Sequence, residues 1–442
     1  MENTKAGRIP LKLSLIVMAL IVPSFQIHGQ VAFAPAINYG VGNRPESVTS
    51  ADVNEDGKPD LICANALDNT VSVLTNTGNG GFVLSASPSV GNYPYSVTTA
   101  DVNGDGELDL IAANAGGGTL SVLTNDGSGA FALSVTVGAG GFPYSVTTAD
   151  VNSDGKVDLI CVNEYAATLR VLTNSGSDGF ALSSLLDVGG YPSSVVATDV
   201  NGDGKPDLIS ANAGDRTLSV LTNDGIGGFA LSSSPIVDWN PISVVASDFN
   251  GDGRVDLASA SFNSISLSVA TNNGSGDFAL ACTLDVLDQS TRSGCANSVT
   301  TADLNRDGWV DLVCANPCAG MLQVFTNDWN GGFALAAALR VSGGPVSVTT
   351  ADVNSDGRAD LMSVNSDNTF SVLFAVPMLT ITRLGSDLQV SWPSAWTNWT
   401  CQQTSDLGTT NWAASVGVAD DGLNKSITFN PLGGGLFFRL RL

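Results

Sequence analysis

Residues 51–65 read ADVNEDGKPDLICAN. Asp52, Asn54, Asp56 and Asp60 fall within nine residues, Gly57 stands among them, and an apolar run follows at once. Carboxylates this close repel one another unless a positive charge sits between them. Hard oxygen donors at relative positions 1, 3, 5 and 9, with glycine at position 6 for a sharp turn, suit Ca²⁺, and position 7 adds a backbone carbonyl. The segment starts like an EF-hand loop, but position 12 holds Cys63 where a bidentate glutamate would be needed, and no helical pattern flanks it. It reads as a calcium loop between two strands.

The pattern returns six more times, beginning at Asp101, Asp150, Asp199, Asp248, Asp303 and Asp352, at a spacing of 49 residues except for 55 between Asp248 and Asp303. A fixed period in this range marks a solenoid, propeller or array. Each unit carries four strand signals, in the second unit Ser96–Asp101, Asp109–Asn114, Thr119–Asn125 and Phe131–Val137, separated by Gly-rich turns. Four short strands per unit is the blade of a β-propeller. The seventh unit lacks its fourth strand, and residues 33–48 (FAPAINYGVGNRPESV) align one period upstream of residues 82–97. The expected fold is therefore all-β: a seven-bladed propeller over 31–376, closed by the N-terminal strand, which removes an open edge.

The calcium reading extends to every copy. After Asp52, Asn54, Asp56, Lys58 and Asp60, the expected ligands are Asp101, Asn103, Asp105, Glu107 and Asp109; Asp150, Asn152, Asp154, Lys156 and Asp158; Asp199, Asn201, Asp203, Lys205 and Asp207. The last three loops supply Asp248, Asn250, Asp252, Arg254 and Asp256; Asp303, Asn305, Asp307, Trp309 and Asp311; Asp352, Asn354, Asp356, Arg358 and Asp360. One copy alone would be ordinary turn chemistry, since Asp, Asn and Gly favour turns. Seven complete copies, with three acids in each loop and hence 21 of the 42 acidic residues, need a counter-charge. Affinity on the order of 10⁻⁴–10⁻³ M per site, with a structural role, is the expectation for an extracellular module.

The pairing of ADVNGDGELDL (100–110) with SVLTNDGSGAF (121–131) resembles the FG-GAP/VCBS repeats of the integrin α-subunit propeller and of many secreted bacterial proteins. The resemblance covers all seven units. It implies a propeller, calcium in the loops, and a role in adhesion or ligand binding. The fourth strand departs from it, reading GGFAL or GAFAL without the Phe-Gly pair.

The remaining features bound the function. Of 442 residues, 43% are hydrophobic, and the formal charge of -24 argues against nucleic acid and anionic membranes as partners. Lys5, Arg8 and Lys12 precede an apolar run from Leu13 to Phe25, so residues 1–30 read as an export signal and the protein as secreted or surface-associated. His28 is the sole histidine and falls in that signal, which excludes triad chemistry and His-ligated metals. Seven cysteines raise the question of disulfides. Cys63, Cys161 and Cys314 share one small buried position; Cys295 and Cys318 fall in connections on one face and form the favoured pair, with Cys282–Cys295 as rival. Residues 378–442 lose the period and read as a small β-sandwich-like domain whose tryptophans, Trp392, Trp396, Trp399 and Trp412, serve a core or a sugar-stacking face.

Opposite the calcium loops, the connections into first strands and between second and third strands gather Tyr93, Tyr95, Phe142, Tyr144, Glu164, Tyr165, Tyr191, Asp215, Arg216 and Trp239. Such rings beside polar groups suit a sugar or an extended peptide; the alternative is that each ring covers the end of a blade core. The expected function is non-catalytic recognition of an extracellular carbohydrate or protein by a monomer. A polysaccharide-acting enzyme using a carboxylate pair is the competing reading.

Overall fold

The computed structural model describes residues 14–17, 31–78, 80–176, 179–286, 294–328 and 331–376, and in the tail 380–384, 387–393, 400–404, 412–420, 424–429 and 437–441. The chain packs as two units, Pro35–Ala375 and Met1–Ala34 with Val376–Leu442.

Pro35–Ala375 holds seven four-stranded antiparallel sheets. Blade one runs Pro45–Ala51, Asp60–Asn65, Thr70–Asn76 and Phe82–Ala86, and blades two to six repeat that order. Burial explains the composition strand by strand. Every residue of the second strand is buried, in DLICAN (60–65) as in DLIAAN (109–114), which is why small residues fill its centre. The third strand is nearly as buried. The fourth alternates weakly and leaves Leu84, Leu133, Leu182, Leu231, Leu280 and Leu335 half exposed. Each of these outer strands breaks register directly after that leucine, as between Leu133 and Val135. A bulge twists the edge and interrupts the row of unpaired backbone groups that would otherwise invite another strand.

The apolar core lies between blades rather than within them. One cluster joins Val48, Leu61 and Leu74 of blade one to Val353, Met362 and Phe370 of blade seven; others repeat around the ring. Two polar links accompany it. The asparagine ending the third strand in blades one to six donates from Nδ2 to a loop carbonyl of the preceding blade: Asn125 to Val53 at 2.8 Å, Asn174 to Val102 at 2.7 Å, and Asn76 to Val353 at 2.7 Å. First-strand serines accept from the next blade, with Val97 N–H donating to Ser47 Oγ at 3.4 Å and Val48 N–H to Ser347 Oγ at 3.3 Å. The contacts of Asn76 and Val48 join blade one to blade seven and so close the ring.

Blade seven takes its fourth strand from the N-terminal side, Ile37–Gly40, antiparallel to Thr369–Leu373 with Ile37 opposite Val372. Blade six carries the extra six residues of the longer repeat; residues 287–293 there lie outside the described set. Its first-strand connection is tied to the turn at Cys318 by a Cys295–Cys318 disulfide, with S–S 2.10 Å and Cα–Cα 5.7 Å. Cys63, Cys161 and Cys314 are buried free thiols, and Cys282 is free and half-buried.

The second unit contains two four-stranded sheets. Thr380–Leu384, Asp387–Pro393, Asn424–Phe429 and Ala419–Asp420 form one, and Ser14–Val17, Phe437–Arg441, Thr400–Thr404 and Ala413–Ala414 the other. Its core is Val390, Trp392, Cys401, Ile427 and Phe438, so Trp392 serves packing rather than a sugar face. Trp396 and Trp399 lie outside the described residues, as does the expected export signal apart from Ser14–Val17, which pairs with Phe437–Arg441.

Candidate functional site: calcium loops and an aromatic ridge

Each acidic loop curls over its own backbone. In blade one the Asp52 carboxylate accepts from Asp56 N–H at 3.2 Å and Gly57 N–H at 2.7 Å, Asn54 Oδ1 from Asp56 N–H at 3.1 Å, and Asp56 Oδ1 from Lys58 N–H at 3.0 Å. The pattern recurs in blade four at Asp199, Asn201 and Asp203. Gly57 at φ +80° and Gly106 at φ +97° show why position 6 is glycine.

Position 9 behaves differently. Asp60, Asp109, Asp158, Asp207, Asp256, Asp311 and Asp360 are completely buried. In every loop one carboxylate oxygen accepts the N–H of position 2 and the other an N–H at the end of the third strand, for Asp207 those of Val200 at 3.0 Å and Asn223 at 2.8 Å. This aspartate ties the loop to the blade. Burial raises its pKa against the lowering effect of those two N–H groups, to about 6 for Asp60, about 7 for Asp311 and about 8 for Asp360. A divalent cation in the loop acts the other way, favouring the carboxylate.

The donor chemistry and the curl fit Ca²⁺, because each hydrogen-bonded carboxylate oxygen keeps a further lone pair. Among the described residues, however, no three acidic, cysteine or histidine side chains are drawn together tightly enough to hold an ion. A basic side chain at position 7 reaches the position 5 carboxylate in four loops: Lys58–Asp56 at 2.8 Å, Lys156–Asp154 at 3.6 Å, Lys205–Asp203 at 3.5 Å and Arg254–Asp252 at 3.8 Å. Glu107 takes that place in blade two, where desolvation and then the neighbouring Glu55 and Asp105 raise its pKa. Trp309 takes it in blade six, and its indole lies against Gly251 of blade five so closely that a Cβ there would meet the ring at 2.2 Å.

At the opposite ends of the strands the two sets of connections are coupled by backbone bonds. Ala115 N–H donates to Tyr93 O at 2.9 Å, Glu164 N–H to Phe142 O at 3.1 Å and Ala213 N–H to Tyr191 O at 3.1 Å. The residue before proline is left-handed in four blades, with Arg44 at φ 56°, Tyr93 at 59°, Tyr191 at 52° and Asn240 at 58°. Tyrosine and arginine adopt this conformation at a cost in strain.

The rings form one chain across blades two to four. Tyr93 and Tyr95 have centroids 6.1 Å apart, Tyr95 and Phe142 6.5 Å, Phe142 and Tyr165 5.1 Å, and Tyr165 and Tyr191 6.4 Å, with Tyr144 beside Tyr95 at 4.1 Å. Tyr165, Tyr191 and Trp239 are 69%, 55% and 58% exposed, which leaves the two tyrosine rings accessible to a ligand, while Arg216 covers one face of Trp239. Tyr95 and Tyr144 are partly buried instead, and burial raises both phenols; Tyr144 packs against the core between blades three and four. These two therefore act partly as a blade cover.

The polar residues of the ridge divide as well. Asp215 accepts Gly190 N–H at 2.6 Å and so braces the turn that carries Tyr191. Arg216 stacks over Trp239, its guanidinium carbon 4.3 Å from the ring centroid. Glu164 sits on the short 3₁₀ turn Glu164–Ala166, half-buried, with its pKa raised by burial. Two members escaped the sequence reading. Arg44 lies 5.0 Å over the Tyr93 ring and pairs through Nε with Glu46, whose carboxyl is raised by burial against the lowering effect of Arg44. The signal was present: NRPESV in blade one aligns with NYPYSV in blade two, so an ion pair replaces two rings.

The sequence matches the FG-GAP-like repeat model at residues 52–112, 101–161, 150–210, 199–259, 248–314 and 303–363. No curated protein matches it. Among solved structures, BBS1N in complex with ARL6DN aligns with TM-score 0.57 at 12% identity, over 78% of this chain and 98% of that one. A protein from Lactobacillus plantarum aligns with TM-score 0.54 at 12% identity, over 89% and 99%. At these identities the likeness concerns the fold. Among the described residues no helix is long and apolar enough to cross a membrane. With the repeat model spanning well over half of the chain, and four-stranded blades wherever it matches, the protein belongs to the FG-GAP-like repeat family.

Proposed function

We propose that the chain is an exported, calcium-stabilised recognition module that binds an extracellular carbohydrate on its aromatic ridge without catalysing a reaction. The observation that carries this reading is the unbroken run of rings from Tyr93 to Tyr191, ending in more than half-exposed faces at Tyr165 and Tyr191. Sugar rings lay their apolar faces on such platforms, and an amphipathic ring orders little on binding. The Cys295–Cys318 bridge accords with an oxidising compartment.

The test is the full chain on a glycan array and on a panel of matrix proteins, in calcium and then in EDTA. Saturable glycan binding that falls at least tenfold in a Tyr165→Ala, Tyr191→Ala double variant supports the reading. A folded, calcium-loaded chain that binds no glycan overturns it, and binding to a matrix protein instead transfers the ridge to a protein ligand. The competing enzyme would use Glu46 and Glu164, the ridge acids whose pKa burial raises. Release of reducing ends from a bound polysaccharide, abolished by Glu164→Gln, would favour it.

A further inference from the structure

The ridge has unequal ends. At the blade-one end Arg44 is neutralised by Glu46. At the blade-five end the Arg216 guanidinium carbon lies over the Trp239 ring, and among the described residues no carboxylate pairs with its guanidinium. Its sequence neighbour Asp215 accepts Gly190 N–H through Oδ2 and forms no ion pair with Arg216, and the Arg216 Nε, screened from water, has no hydrogen-bond partner. An arginine stacked on an indole holds its planar fork of donors in one orientation, ready for a carboxylate to accept two of them side by side. The formal charge of -24 does not oppose this, because 21 of the 42 acids belong to loops at the other ends of the strands.

We propose that the ridge recognises a linear acidic polysaccharide, with a uronate carboxylate paired to Arg216 and sugar rings laid on Tyr165 and Tyr191. The inference rests on the reading of the ridge as a carbohydrate site and adds the charge of the sugar. An acidic peptide would offer the carboxylate but not the flat rings that the exposed tyrosine faces match.

The experiment compares short β-1,4-linked glucuronate oligosaccharides with the corresponding cello-oligosaccharides, which carry a hydroxymethyl group in place of each carboxylate, by titration calorimetry on the full chain in calcium. The expected result is at least tenfold tighter binding of the glucuronates, a preference lost in Arg216→Gln, partly kept in Arg216→Lys, and erased by high salt. Unchanged thermal melting shows that the variants are folded. Equal binding of both oligosaccharides, indifferent to Arg216→Gln, overturns the acidic-sugar inference and leaves the carbohydrate reading standing. Arg216-dependent binding of an acidic peptide by a chain that ignores both oligosaccharides overturns this inference and reassigns the ridge. Binding of no glycan at all overturns both readings.

Discussion

The aspartate at position 9 shows how one residue type takes two roles within a nine-residue motif. Asp203 and Asp207 look alike in sequence, yet Asp207 is wholly buried under two backbone N–H donors while Asp203 is exposed. Asp207→Asn sets an amide against those donors and leaves one unsatisfied, so it should cost about 1–3 kcal/mol in urea denaturation, with calcium or with EDTA. Asp203→Asn should be neutral in EDTA and reduce only the increment that calcium adds. Equal effects of the two variants in EDTA would show that position 9 is no more than another ligand. Gly251 supplies a second test: at φ +74°, with a would-be Cβ 2.2 Å from the Trp309 ring, Gly251→Ala should destabilise by about 1–3 kcal/mol. Trp309→Ala in the same chain should recover the part due to the clash and none of the part due to the backbone.

At the scale of the element, the strand Ile37–Gly40 matters more than its four residues indicate. It covers the edge of Thr369–Leu373 and places Tyr39 edge-on to Phe82 of blade one at 5.6 Å. Deleting residues 31–41 bares a flat edge at the ring seam, and the expected outcome is a lower melting temperature with concentration-dependent aggregation. Melting unchanged by the deletion would mean that the first and seventh blades hold together without the strand. The disulfide works on a neighbouring element. It stands where other blades have the residue before proline, and it closes a loop of 23 residues. Cys318→Ser should cost about 2–4 kcal/mol, read from denaturation under non-reducing conditions.

For the whole molecule, closure distributes stability around the ring, because each apolar cluster of the ring draws on two blades and the asparagine links run from blades one to six to their predecessors. Calcium held in the loops should therefore raise the melting of the ring as one transition. By mass action, each site filled at ten times its dissociation constant adds about 1.4 kcal/mol. Calorimetry in rising calcium tests this, and a melting temperature indifferent to both calcium and EDTA would remove the ion from the account. The four loops with a Lys or Arg on the position 5 carboxylate should respond least, since the tethered cation already offsets part of the loop charge.

What could be read from the sequence was whatever repeats. The 49-residue period, the four strand signals per unit and the alignment of residues 33–48 with 82–97 carried the blades, their order and the closing strand, because each strand and loop is dictated by residues close together in the chain. The same periodicity hid what differs between equivalent positions. Arg44, paired with Glu46, meets Tyr93, Arg216 meets Trp239, and Tyr144 turns into a core while Tyr165 stays open, all across seams between blades or turns. The sequence by itself determined a ring of blades with acidic loops at one end of the strands. Only the tertiary structure decided which rings form a surface and which cation on it lacks a partner, since those depend on how neighbouring blades are placed rather than on local pattern.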